Sequence, residues 1–216
     1  MKITLFKPYR KRETVTRYEL QDMIHLVKDG PQQQEVRRIR EVYHLMNPHR
    51  LEDGRVETKI VDAIRLPRIC FSAEYEKRQG KLKMLKYNGL VVLEVNDLQN
   101  YEQAVAIKNK VRRMPQTVLC FLGGSGKSVK IVCRGELFGG GLPEQQEDIE
   151  RFHANLYNTA RQAYQNQFHV DIEYLEPRLD RVVYMSADPE MFYNPQARRF
   201  LADVSRADRS EQGVSI

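Results

Sequence analysis

Between residues 116 and 134 the chain sets two apolar, β-branched runs on either side of Gly123-Gly124-Ser125-Gly126: Gln116–Leu122 (QTVLCFL) and Ser128–Arg134 (SVKIVCR). Two strands joined by so short and glycine-rich a turn form an antiparallel hairpin. What flanks the hairpin predicts the rest. Gly89–Val95 (GLVVLEV) is almost continuously apolar, the mark of a strand covered on both faces. Between it and the hairpin, Asn100–Arg113 carries Ala104, Ile107 and Val111 on one helical face. Beyond the hairpin, Pro143 opens a long helix in which Ile149, Phe152, Leu156, Ala160 and Ala163 share a stripe. A short extended piece, His169–Ile172, leads to another strand, Arg181–Ser186 (RVVYMS). The order β-α-β-β-α-β predicts an α+β protein with a ferredoxin-like core over about residues 89–186. In that arrangement the first and third strands are central neighbours, the fourth flanks the first, and both helices cover one face. The other face is left for ligands or for the N-terminal region.

The preceding residues predict a mainly helical extension. After a short strand, Lys2–Phe6, the positions Leu20, Met23, Ile24 and Val27 recur at helical spacing up to Asp29-Gly30-Pro31. Val36, Ile39, Tyr43 and Met46 mark a second helix that stops before Asn47-Pro48. Its opposite side carries Arg37, Arg38 and Arg40, a solvated face by default and a phosphate contact as the alternative. Arg50–Lys59 reads as a linker or long loop. The expected division is therefore an extension over 1–60, the core over 61–204, and a polar, flexible tail over 205–216. The 35 basic and 29 acidic residues leave a net charge of +6. Of this, +5 falls within residues 1–50, where 11 basic residues face 6 acidic ones. Such a balance suits a polyanionic partner as well as a merely basic surface. No apolar stretch approaches the roughly 18 residues of a membrane span, and MKITLFKPYRKRETV turns charged before a signal segment accumulates. A cytoplasmic protein with no membrane partner is expected. Cys70, Cys120 and Cys133 each sit in an apolar run with no CxxC pair, so buried thiols are expected rather than a disulfide framework or a thiolate zinc site.

Two polar residues interrupt the apolar strands, and they matter most for function. Side chains alternate along a strand, so Val92, Glu94 and Asn96 point one way while Val91, Leu93 and Val95 point the other. Glu94 is expensive to bury unless paired or bound to a cation. Lys130 breaks Val129–Cys133 in the same manner, and neighbouring strands would let the two meet on the open face, as a simple ion pair or as part of a site. Asp171 lies in the segment that feeds the fourth strand. Two carboxylates and a lysine on one face suit a divalent-metal site for phosphoryl or nucleotidyl transfer. The sequence GGSGKS at 123–128 is not a Walker loop. The first glycine of that pattern would fall on Phe121, and β-branched residues follow where a helix is required. It remains a hairpin turn, or a donor-rich turn suited to triphosphate oxygens.

The blocks IRLPRICFS (64–72), YNGLVVLEVNDL (87–98), GGSGKSVKIVCR (123–134) and VDIEYLEPRLDRVVYMSADPEMFYNP (170–195) resemble the VirE N-terminal domain family, which is related to the archaeo-eukaryotic primase superfamily. The resemblance implies an RRM-like catalytic core, with catalytic residues at Glu94, Lys130 and Asp171. It implies metal ligands at Glu94, Asn96 and Asp171 for Mg²⁺ or Mn²⁺. The nucleotide site is expected at Ser125, Gly126, Lys127, Lys130 and Arg181, with Arg181 contacting phosphate or bracing an acid. Asn96 stands where the family pattern has an acid, Lys130 where active primases have a histidine, and Ser128 at the second glycine of the turn motif. Asp97 is the adjacent acid, turned to the opposite face if the strand stays regular and brought round by a bulge or an early strand end.

Two functions follow as expectations. One is a primase-polymerase-like nucleotidyltransferase of a mobile-element replication protein, acting on single-stranded DNA with nucleoside triphosphates, alongside a helicase-like partner. The other is a module with the same fold that binds nucleic acid or nucleotides without catalysis. SVKIVCR carries no aromatic residue for the stacking mode of a standard RRM. The five histidines contain no H-x-H pair, which sets aside a rolling-circle nickase. Phe192 and Tyr193 read as packing residues beside the turn dipeptides Asp188-Pro189 and Asn194-Pro195, with nucleic-acid stacking as the alternative.

Overall fold

The computed structural model describes residues 1–9, 12–46 and 66–205. In chain order it contains β1 (Lys2–Tyr9), β2 (Arg12–Glu19), α1 (Leu20–Asp29), α2 (Gln33–Met46), β3 (Arg68–Cys70), β4 (Ala73–Arg78), β5 (Lys81–Tyr87) and β6 (Leu90–Val95). There follow α3 (Tyr101–Val111), β7 (Thr117–Leu122), β8 (Val129–Leu137), α4 (Gln146–Phe168), β9 (Val183–Tyr184), β10 (Phe192–Tyr193) and β11 (Phe200–Ala202). The protein is α+β, with several antiparallel sheets. The expected linker at Arg50–Lys59 and the expected tail beyond residue 205 lie outside the described residues.

The glycine-rich hairpin organises the central sheet. Antiparallel β7 and β6 both pair with β8. The short β10 adds to β7, and β11 joins the distal part of β8 in parallel. Alternation along these strands then makes two cores. Val91, Leu93, Val95, Cys120, Leu122, Val129, Ile131 and Cys133 face α3 and α4, meeting Ala104, Ile107, Phe152, Leu156 and Ala160. Leu90, Val92, Leu119, Phe121 and Val132 face the other way and are covered by the N-terminal elements, among them Ile3, Leu5, Met23, Val27, Ile69 and Phe71. Each fully buried Leu, Ile, Val, Met or Phe side chain contributes about 1.5–3 kcal/mol before entropy is counted. The face expected to be free for ligands or the N-terminal region is thus taken by the latter over most of its length.

Two strand assignments differ from the sequence reading. Arg181–Ser186 does not flank β6: only Val183–Tyr184 is a strand, and it pairs with β3 in the sheet ordered β2-β1-β3-β9. Val183 and Met185 find their apolar partners in that second core, which wins over pairing with β6. The edge of β6 is instead approached by irregular backbone, where the Glu173 amide donates to the Glu94 carbonyl at 3.2 Å. In addition, residues 12–19 form β2, antiparallel to β1, from a stretch whose Thr14, Val15, Thr16 and Tyr18 favour extended backbone. The N-terminal region therefore holds a hairpin as well as its two helices, and β1 pairs with β3 in the same sheet.

The three cysteines are buried and unpaired, as their apolar surroundings suggested. Asp188, beyond opening a turn, enters the interior. Lys108 on the buried stripe of α3 donates to both of its carboxylate oxygens, at 2.9 and 2.8 Å. Asp188 also accepts from the amides of Leu122 (2.8 Å) and Glu190 (3.1 Å). This pair fastens the 186–191 segment to α3 and β7.

Candidate functional site

Glu94 and Lys130 stand directly opposite each other in the β6–β8 ladder. Their side chains are each only 11% exposed. Lys130 Nζ donates to Glu94 Oε2 and, at 2.9 Å, to Asn96 Oδ1. Asn96 Nδ2 donates in turn to Glu173 Oε2 at 2.6 Å, and Arg181 Nη2 lies 3.5 Å from Glu94 Oε1. Five side chains thus form one polar chain: Arg181, Glu94, Lys130, Asn96 and Glu173. Burial alone would raise the Glu94 carboxyl, but the Lys130 charge and hydrogen bond, with Arg181 and Asn96, outweigh it and hold the group below the usual carboxylate range.

The segment carrying Glu173 has no regular secondary structure, yet side chains of α4 fix it. Arg161 Nε donates to the Ile172 carbonyl at 2.9 Å, and Tyr157 Oη donates to the Glu173 carbonyl at 3.1 Å while accepting from the Leu175 amide at 2.9 Å. Ile172 is fully buried, so Asp171 and Glu173 share the outward side of this extended piece. Only Glu173 joins the cluster. Asp171 is exposed and makes no hydrogen bond or ion pair with any described residue. Asp97 lies beyond the end of β6, exposed and with φ +53°.

A cavity of about 290 Å³ opens beside the pair, lined by Glu94, Lys130, Gly124, Ser125, Ser128 and Tyr184 among others. Gly123 makes this corner possible. A Cβ there would stand 2.0 Å from Ser128 Oγ and 3.4 Å from Lys130 Cε. The turn delivers the chain into a strand, β8, and its Ser125 Oγ accepts from the Lys127 amide at 3.2 Å. Gly126 and Lys127 line a different, larger cavity on the far side of the turn, while Ser125 borders both. Of the nucleotide-site residues expected from sequence, Ser125, Lys130 and Arg181 therefore converge on the Glu94 cluster, and Gly126 and Lys127 face the neighbouring cleft.

The donors as arranged do not fit a divalent ion. The Lys130 ammonium fills the gap between Glu94 and Asn96 where such an ion would bind, Asn96 brings no charge, and Asp171 stands apart. Among the described residues, no group of three or more His, Cys, Asp or Glu is placed to hold a metal. What the cluster can do is offer a cation with a donor to spare. A lysine ammonium has three N–H bonds, and two are taken by Glu94 and Asn96.

Sequence reasoning missed three contributors. Glu173, two residues past Asp171 and of the same parity, was the alternative acid. Tyr157 lies on the buried stripe of α4 but uses its hydroxyl outside the core. Arg40 is not part of a solvated face: it donates to the Ala187 carbonyl at 2.7 Å and the Gly123 carbonyl at 3.4 Å, so α2 is tied to the glycine-rich turn.

Among curated proteins and among solved structures, none matches the chain. One family model does, over residues 62–193, more than half of the chain and the whole stretch from β3 to β10 that carries Glu94, Lys130, Glu173 and Arg181. The chain belongs to the BT4734-like N-terminal domain family.

Proposed function

We propose that this protein is a nucleotide- and nucleic-acid-binding module, built on an RRM-like core of the primase-polymerase type, in which a lysine takes the place of catalytic metal. The observation that carries this reading is the position of Lys130 Nζ between Glu94 and Asn96, with one N–H left over at the wall of the small cavity. A phosphate oxygen there would meet a charge-assisted donor, with the Ser125 and Ser128 hydroxyls beside it. Support for the RRM-like core comes from the order β6, α3, β7, β8, α4 and from the pairing of β8 with both β6 and β7. The primase-superfamily resemblance of the same blocks points to nucleoside triphosphates and single-stranded DNA as ligands, with a helicase-like protein as partner.

A second reading, metal-dependent nucleotidyl transfer with Mg²⁺ or Mn²⁺, is favoured by the 2.6 Å bond that brings the Glu173 carboxylate up to Asn96. It requires Lys130 to release Glu94, and Asp171 or Glu173 to join it. Calorimetric titration with a deoxynucleoside triphosphate, once in EDTA and once with Mn²⁺, separates the two. The binding module gives affinities that agree within about threefold, 0.7 kcal/mol on the logarithmic scale of affinity. Binding that appears only with Mn²⁺ and disappears in Glu94→Gln overturns it in favour of the transferase.

A further inference from the structure

On the far side of the glycine-rich turn lies a cleft of about 680 Å³, a volume suited to a small organic ligand. Three elements wall it: α2 through Arg37 and Arg40, the turn through Gly126 and Lys127, and the start of α3 through Asn100 and Tyr101. Gly126 is where they meet. It has φ +74°, and a Cβ there would lie 3.3 Å from the Tyr101 ring and 3.5 Å from the Arg40 stem. The residues at the wall divide into two kinds. Arg40 is a brace, bound to main-chain carbonyls and with its guanidinium 5.9 Å from the centre of the Tyr101 ring. Tyr101, by contrast, is 47% exposed, Arg37 is exposed, and Lys127 is half-buried. Neither Arg37 nor Lys127 forms an ion pair with a described residue.

Glu41 and Glu102 also line the cleft, leaving the three cations there an excess of one charge. An excess of one positive charge matches the single negative charge of one phosphodiester. An exposed aromatic ring beside one or two unpaired cations is the arrangement that holds a nucleobase by stacking and its phosphate by charge. We propose that this cleft binds one nucleotide unit of a single-stranded nucleic acid, with its base stacked on Tyr101 and its phosphate between Arg37 and Lys127. The inference rests on the nucleotide-binding reading of the smaller cavity, which adjoins this one through Ser125, so that a strand lying here leads towards Lys130. The aromatic platform missing from β8 is supplied instead by the first residue of α3.

The test is fluorescence anisotropy with labelled oligothymidylate of about 12 nucleotides, run beside calorimetry with dATP. Tyr101→Ala is expected to weaken oligonucleotide binding roughly 5- to 150-fold, while Tyr101→Phe keeps wild-type affinity. Arg37→Ala is expected to make the dependence on log salt shallower by about 0.7 unit. Both exposed substitutions leave dATP binding within about twofold of wild type. Oligonucleotide binding that is absent in the wild type, or unaltered by Tyr101→Ala and Arg37→Ala, overturns the proposal. Tyr101-dependent oligonucleotide binding without dATP binding refutes the reading of the smaller cavity and sustains this one.

Discussion

Lys108→Met isolates the contribution of the most deeply buried ion pair among the described residues. The Lys108 and Asp188 side chains are 4% and 3% exposed. Methionine keeps most of the unbranched stem but removes the ammonium. Asp188 then loses two charge-assisted bonds and retains only the amides of Leu122 and Glu190. Removing one partner of a buried pair costs about 3–5 kcal/mol, because the other charge is left uncompensated. The two remaining amide donors place this case near the lower end, about 3 kcal/mol, within the 5–15 kcal/mol stability of an ordinary domain. Urea unfolding followed by circular dichroism at pH 7 should show the midpoint falling with the slope unchanged. The double variant Lys108→Met/Asp188→Asn should recover at least about 1 kcal/mol, since no buried charge then lacks a partner. A single variant within about 1 kcal/mol of wild type, or a double variant that is simply additive, would refute the assignment of this pair as the clamp on residues 186–191.

Three other interior groups give direct measurements. His153 is buried with Nδ1 3.1 Å from the Tyr87 hydroxyl, and burial lowers its imidazole from 6.5 to about 4. Between these values the unfolded chain binds the proton and the folded one does not. The contribution of His153 is therefore fully present above pH 6.5 and is lost as the pH falls towards 4, by about 3 kcal/mol. His153→Leu should flatten that slope whatever its effect at neutral pH, and an unchanged slope would contradict the account. Burial also raises the Cys120 and Cys133 thiols to about 12. A disulfide reagent at pH 8 is expected to leave these two unmodified until denaturant is added, and their rapid modification in the native protein would show the core to be misplaced.

Much of the site was legible because strand alternation is a strict rule. Glu94 and Lys130 each broke an apolar run at a position whose side-chain direction was fixed, and the β-α-β-β-α-β order made the first and third strands neighbours, as β6 and β8 are. Asp171 shows the limit. The segment around it is held by Tyr157 and Arg161 rather than by a ladder, so no periodicity told which of two same-parity acids would reach Asn96. RVVYMS had the composition of a strand, but composition does not choose a partner, and Ile69 of β3 competed successfully with the edge of β6. Lys108 sat in plain view among Ala104, Ile107 and Val111, an oddity on a buried stripe. Its partner lies 80 residues away in a dipeptide that also reads as an ordinary turn, so only the assembled fold brings them together. The same holds for Arg40, whose acceptors come from the glycine-rich turn and from Ala187.

The central claim is that Lys130 supplies the cation for a bound phosphate. Its most direct test is the affinity of Lys130→Met for dATP in EDTA, compared with wild type by equilibrium dialysis at low salt, where the fold is intact by circular dichroism. Loss of a charge-assisted bond corresponds to about 1.5–3 kcal/mol, so the variant should bind roughly 10- to 150-fold more weakly. Equal affinity in the two proteins would contradict the account and leave the Glu94–Lys130 pair a structural link between β6 and β8.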